Sequence, residues 1–388
     1  MASIINTNIS SLTAQRNLSM SQSSLATSMQ RLSSGLRINS AKDDAAGLAI
    51  SERMSSQIRG MNQAVRNAND GISLAQTAEG ALGEVGNNLQ RIRELAVQSA
   101  NATNSTTDRA ALNAEVTQLV SEIDRVSKQA DFNGTKLLDG SFSSQLFQVG
   151  ANAGQTIAVD KIANTTAGAL GNVKFAASVT GAAITDAAAA ATLGGFTING
   201  VTIGDVKVTV GMTGADQGKA LASAINAKMG ETGVYATQNE TDPSQVVLTS
   251  IKAGKDLVIA DGAVGTAAAS GQAADTTEVD DADFSFAKDL DITSVAGAQK
   301  AMEIIDAALT QVNGSRADLG AIQNRFTSVV TNLQTNAENT SASRSRIQDA
   351  DFAAETANLS RAQILQQAGT AMVAQANQLP QTVLSLLK

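Results

Sequence analysis

The sequence predicts a mainly α protein with an inserted α+β domain. Three observations predict it. Apolar residues recur at alternating steps of three and four along both ends of the chain, the seam of a coiled coil. Between about residues 140 and 290 that period gives way to alternation by two, in a stretch dominated by Ala, Gly, Thr and Val. The composition is 43% hydrophobic but only 3% aromatic, with no Trp, one Tyr and two Pro. A core of Ala, Leu, Ile and Val suits close-packed helices.

In chain order, the first helical stretch carries Ile5, Ile9, Leu12, Leu18, Leu25, Met29, Leu32 and Leu36. Ser40 before Asp43 and Asp44 reads as the next helix start, with acids in the first turn. The second stretch runs Ile50, Met54, Ile58, Met61, Val65, Ala68, Ile72, and its pattern extends through Leu82, Val85, Leu89, Ile92 and Ala96. The third carries Leu112, Val116, Leu119, Ile123, Val126 and Ala130, and "DFNG" at 131–134 reads as its stop, with Gly134 free to take positive φ. In the insert, "FTINGVTI" (196–203) is a hairpin signal, because Asn199-Gly200 fits a type I′ turn. "VKVTV" (206–210) continues the strand pattern. "ADQGKALASAINAKMG" (215–230) reads as a helix with Leu221 and Ile225 inward and Gly230 as its stop. Strands are expected at 234–236, 246–249 and 257–259, with loosely patterned connections at 160–195 and 260–280.

The last helical stretch runs from about Met302 to Leu387 with breaks, and Pro380 predicts a kink or restart. Leu365, Gly369, Met372, Ala376, Leu379, Val383 and Leu386 form its stripe, and no charged residue lies between Arg361 and Lys388. Helices before and after the insert must pair, or their stripes stay exposed. Pairing the two ends hides one side of each helix only. A self-association core is therefore expected from Ile5, Ile9, Leu12, Leu18, Leu25, Met29, Leu32, Leu365, Met372, Leu379, Val383 and Leu386.

The chemistry excludes more than it offers. There is no Cys and no His, so thiolate chemistry and the commonest general base and metal ligand are missing. No catalytic, cofactor or metal site is expected. "GADQGKA" (214–220) lacks the spacing of a phosphate loop and its Ser or Thr, and reads as a polar helix start. Asp275, Glu278, Asp280, Asp281 and Asp283 lack EF-hand spacing and read as a solvated linker. "DADF" recurs at 349–352, and both copies read as helix starts. The net charge of −8 argues against nucleic acid as a partner. No window approaches the roughly 18 apolar residues of a membrane span, and the first twenty residues do not read as a secretory signal.

"SSGLRINSAKDDAAGLAISERM" (33–54), "LQRIRELAVQSANATNS" (89–105), "SEIDRVSKQADFNGTKLLDG" (121–140) and "SRIQDADFAAETANLSRAQILQQAGTAMVAQANQ" (345–378) resemble bacterial flagellin. The resemblance covers most of 1–140 and 290–388, and the insert resembles a short repeat of flagellins and hook proteins. It implies three discontinuous domains. Residues 1–42 with 346–388 form a terminal coiled coil in the filament core. Residues 43–170 with 285–345 form a helical inner domain with a β-hairpin. Residues 171–284 form an outer, surface-exposed domain. It further implies uncleaved type III export, a secreted, extracellular filament of identical copies, and an export chaperone, filament cap and hook-junction proteins as partners. In receptor-binding flagellins the segment like 89–105 contacts an innate immune Toll-like receptor, and Arg91, Leu95 and Glu115 stand at the contacting positions. Residue spacing alone sets Arg91 and Leu95 on one helix face, away from Leu89, Ile92 and Ala96. Two other classes stay open: a hook–filament junction or cap-proximal protein, and an enzyme carried on the insert.

Overall fold

The computed structural model describes residues 7–188, 190–260, 274–279 and 283–385, with side chains described as far as Gln378. Among these residues are seven α-helices: α1 (Ile9–Ser34), α2 (Ala45–Ser99), α3 (Thr106–Gln129), α4 (Gly214–Asn226), α5 (Met229–Thr232), α6 (Val295–Gln348) and α7 (Phe352–Ser385). Two compact units share them. One comprises Met1–Asn69, Phe147–Ile157 and Thr327–Lys388; the other comprises Asp70–Leu146 and Ala158–Phe326.

Side-chain caps set the helix limits. Asn8 Oδ1 accepts from the Ser11 amide at 3.1 Å and opens α1, and Gly35 at φ 72° closes it. The expected start at Ser40 falls earlier than the real one. Asp43 accepts from the Asn39 and Ser40 amides at 3.2 and 2.9 Å, which makes a turn, and its carboxyl is held low by the Ser40 hydroxyl and those amides. Asp44 is the actual cap, accepting from the Gly47 amide at 2.8 Å. The stretches 50–72 and 82–96 are one 55-residue helix. Ser105 and Asp108 form a reciprocal capping box at the start of α3.

"DFNG" ends α3 and also turns a hairpin that the period did not reveal. Asp131 pairs with Lys136 and Phe132 with Thr135, with Asn133 at φ 50° and Gly134 at φ 81°. Both turn residues need positive φ, which Asn tolerates and Gly accepts without strain. The two "DADF" copies differ. Asp351 caps α7 by accepting from the Ala353 amide at 2.9 Å. Phe284 instead enters a strand in which Phe284–Ser285 pairs with Val173–Lys174, so that copy is no helix start. Asp280 and Asp281 lie outside the described residues. Helix α7 continues through Pro380 to Ser385 without a break in helical structure.

In the first unit, Met61, Ala64 and Leu333 form a buried cluster with Ile58, Val65, Val329 and Ala337 packed around it. In the second, α2 presents Leu82, Val85, Leu89, Ile92 and Ala96 inward, none more than 1% exposed. Ion pairs and hydrogen bonds tie its helices. Arg93 donates to Asp306 of α6 at 2.7 Å, Gln323 donates to Glu79 at 2.8 Å, and Ser99 donates to the Ile292 carbonyl at 2.5 Å.

The insert in this unit has its own core. Phe196, Ile198, Leu221, Ile225, Val234, Val246, Leu248 and Leu257 are all fully buried, and the whole cluster lies between Ala176 and Val279. The 196–203 hairpin forms with Thr197 opposite Thr202 and Ile198 opposite Val201. Val234–Gln238 pairs antiparallel with Val246–Ser250, and Leu257–Ala260 lies between 197–198 and 275–277. Helix α4 docks through Asn226, whose amide exchanges two hydrogen bonds with Ala236 at 2.8 and 2.7 Å. The expected stop at Gly230 falls inside α5; Gly233, at φ 71°, is the cap.

Candidate functional site: the terminal helix seam and the Arg91 face

Helices α1 and α7 run antiparallel. Asn8 donates to the Ala376 carbonyl at 2.7 Å, and Ser11 donates to Asn377 Oδ1 at 2.7 Å. Leu18 lies against Gly369, Arg31 meets Glu355 at 4.0 Å, and Leu36 bridges Asp349. Partner numbers fall on one helix as they rise on the other.

The seam is heptad on both sides. On α1, Ser11, Leu18, Leu25 and Leu32 recur every seven residues, with Ala14, Ser21 and Ser28 between them, and all are buried or half-buried. On α7, Glu355, Ala362, Gly369 and Ala376 recur every seven, with Leu359, Gln366 and Val373 between them, and again none is exposed. This is a seam of Leu against small residues, and small residues let two helix axes approach closely. A Cβ at Gly369 would stand 3.1 Å from Leu18 Cδ1, tighter than ordinary contact. Arg31 Nε is buried with no hydrogen-bond partner among the described residues.

Large apolar side chains lie outside the seam. Ile9, Leu12, Met20 and Met29 on α1, with Phe352, Ile364, Leu365 and Met372 on α7, are between 50% (Leu365) and 65% (Ile364) exposed. Ile364, Leu365, Ala368 and Met372 share one face of α7 by helical spacing. A groove of about 670 Å³ runs beside the pair, lined by Met20, Ser24, Thr27, Asn358, Arg361 and Leu365 among others.

The twelve residues expected to form the association core therefore divide. Leu18, Leu25 and Leu32 sit in the seam; Ile9, Leu12, Met29, Leu365 and Met372 face solvent. Ile5 and Leu386 lie outside the described residues, and the side chains of Leu379 and Val383 do too. The sequence reading missed the small partners Ser11, Ser28 and Ala362; it placed Gly369 and Ala376 in the α7 stripe but left them out of the association core. The recurrence of Ala362, Gly369 and Ala376 at steps of seven was the available signal, hidden because it carries little hydrophobicity.

The second surface lies on α2 and α3. Arg91 reaches Glu115 of α3 at 2.9 Å and Glu94 at 3.0 Å, and the Arg91 and Glu115 side chains are 49% and 45% exposed. Hydrogen bonds to Glu94 and then Glu115 hold the guanidinium even further toward its charged form than usual. Leu95 corrects the reading that placed it beside Arg91 on an outer face. It is 1% exposed, because residues 92, 95, 96 and 99 form a single buried stripe. Arg109 closes this end of α2 by donating to the Ser99 carbonyl at 2.8 Å and the Asn101 carbonyl at 3.0 Å. Among the described residues, no group of three or more acidic side chains is placed to hold a metal ion, and no helix is long and apolar enough to cross a membrane.

Residues 5–143 match the bacterial flagellin N-terminal helical region, residues 302–387 the bacterial flagellin C-terminal helical region, and residues 195–252 the flagellin hook IN motif. Over the full length of both chains, the protein is 39% identical to a flagellin of Salmonella typhimurium, 42% to the B-type flagellin of Pseudomonas aeruginosa and 42% to flagellin D of Vibrio cholerae. The structure of FliC from Burkholderia pseudomallei matches 66% of this chain and 99% of its own, at 27% identity and a TM-score of 0.39. With both helical regions matched and identity near two-fifths end to end, the chain belongs to the bacterial flagellins, structural proteins of the flagellum.

Proposed function

We propose that this chain polymerises into an extracellular flagellar filament for swimming, and that neighbouring copies bury the outer stripes of α1 and α7. The observation that carries this is the pairing geometry. The seam uses small residues, while Ile364, Leu365 and Met372 stay in solvent beside it. Contiguous exposed apolar surface on a soluble chain marks an interaction site. Uncleaved export by a type III route, with an export chaperone, filament cap and hook-junction proteins as partners, belongs to the same reading. The chain acts as a structural subunit and not as an enzyme. A junction protein would form only short assemblies, so electron microscopy of the polymerised protein separates the two.

The domain map belongs to this proposal: 1–42 with 346–388 in the filament core, 43–170 with 285–345 as the inner domain, and 171–284 outward. The insert's buried cluster begins at Ala176 and ends at Val279. Its two ends meet where Lys174 pairs with Phe284 and Val173 with Ser285. Deleting residues 175–280 therefore removes a whole core and leaves ends that a short turn can join. Expressed in a strain lacking flagellin, this deletion is expected to give filaments. Normal export with no filaments would count against the map.

We also infer that Arg91 and Glu115 are read by a host Toll-like receptor. Both are accessible, and Arg91 offers a planar donor fork beside a carboxylate. Arg91→Ala and Glu115→Ala are expected to raise the monomer concentration needed for reporter-cell activation roughly tenfold or more, the scale of an interface hot spot. Leu95→Ala acts differently. Truncating a buried Leu costs about 2–5 kcal/mol of stability, so this variant should lose signal together with thermal stability. An unchanged response in the Arg91 and Glu115 variants would end the receptor assignment.

A further inference from the structure

The chain holds three Asn-Gly pairs, at 133–134, 199–200 and 313–314. Such a pair can react with itself. The Gly amide nitrogen attacks the Asn side-chain carbonyl carbon, a C–N bond forms, and ammonia leaves. Water then opens the cyclic imide at either carbonyl, giving Asp or isoaspartate. Gly permits the attack because it has no Cβ to crowd the amide. What remains is whether the fold leaves the carboxamide free.

Two of the pairs occupy the same kind of hairpin turn. Asn133 has φ 50° and Gly134 φ 81°; Asn199 has φ 53° and Gly200 φ 78°. Their side chains differ. Asn199 Nδ2 donates to the Thr232 carbonyl at 2.8 Å, and its Oδ1 accepts from the Val258 amide at 2.9 Å. The carboxamide is thus pinned from both ends to neighbouring backbone. Asn133 is exposed and its carboxamide has no hydrogen-bond partner among the described residues, and a Cβ added at Gly134 would meet nothing within 4 Å. The third pair lies inside α6, where the helical hydrogen-bond ladder engages the Gly314 amide.

We propose that Asn133-Gly134 is a spontaneous deamidation site of the folded chain, and that Asn199-Gly200 is locked against the same reaction by its two hydrogen bonds. Modification would act on the hairpin. Isoaspartate lengthens the main chain by one methylene, which cannot keep Asp131 opposite Lys136 and Phe132 opposite Thr135. Either product also adds a negative charge to a chain already at −8.

The test is peptide mapping by mass spectrometry of the full-length protein, aged in mildly alkaline buffer. Short synthetic peptides spanning each pair supply the unstructured rates. Asn133 is expected to approach the rate of its own peptide. Asn199 is expected to fall about tenfold or more below its peptide, the factor supplied by two ordinary hydrogen bonds that must open first. Asn133→Gln should abolish the isoaspartate signal in that segment. Equal rates at 133 and 199 in the folded protein, or an Asn133 protected as strongly as Asn313, would overturn the proposal.

Discussion

Replacing Ile364, Leu365 and Met372 together by Gln is expected to leave a soluble, helical chain that no longer forms filaments at ordinary concentrations. None of the three belongs to the seam with α1, and each is at least half exposed. Gln is a good helix former, so α7 keeps its propensity. Fully burying such a side chain contributes about 1.5–3 kcal/mol. With half of each already covered, the remaining gain is about 1 kcal/mol per side chain. Losing three removes about 3 kcal/mol per subunit, roughly a hundredfold in the concentration needed to polymerise. Sedimentation of polymer across a concentration series reads this directly. A critical concentration unchanged from the parent would mean that this face stays in solvent and that association uses another surface.

The long elements were legible because their signals are redundant. A three–four apolar pattern over dozens of residues survives errors at individual positions, so α2, α3 and the two C-terminal helices could be read from spacing. The insert's hairpin was legible for a local reason, since Asn199-Gly200 between alternating residues admits few other turns. The failures share a physical cause: tertiary context chose between local options. Ser40, Asp43 and Asp44 all suit a helix start, and only the hydrogen bonds select Asp44. Gly230 and Gly233 both suit a stop, and the one at positive φ is the stop.

The seam was the harder case. Hydrophobicity drew the expected association core to Leu365 and Met372, while the contact with α1 is made by Ala362 and by Gly369 and Ala376 of the same stripe. Close packing selects for small volume as well as for apolarity, and a hydrophobic stripe reports only the second. Leu95 failed in a related way. Residues 92, 95 and 96 lie on one broad buried face, and the spacing from Arg91 to Leu95 did not show that the face is that wide.

We propose that the two ends of the chain are completed by other copies. Within one chain, α1 and α7 offer each other four half-buried Leu (Leu18, Leu25, Leu32 and Leu359), Val373, a row of Ser and Ala, and the Gly369 contact. Ordering each residue costs about 1–2 kcal/mol in backbone entropy, and a lone helix gains most of its stability from packing an apolar face. The pair is therefore expected to open readily in dilute monomer and to close when neighbours cover its outer stripes, in the manner of a segment that folds on binding. Amide hydrogen exchange, followed by mass spectrometry on dilute monomer and on filament, is the most direct measurement. We expect residues 1–40 and 346–388 to exchange at nearly unprotected rates in monomer, to be strongly protected in filament, and residues 82–96 of α2 to be protected in both. Ends already protected in dilute monomer to the level of α2 would show that the seam is an ordinary intramolecular core that other copies do not complete.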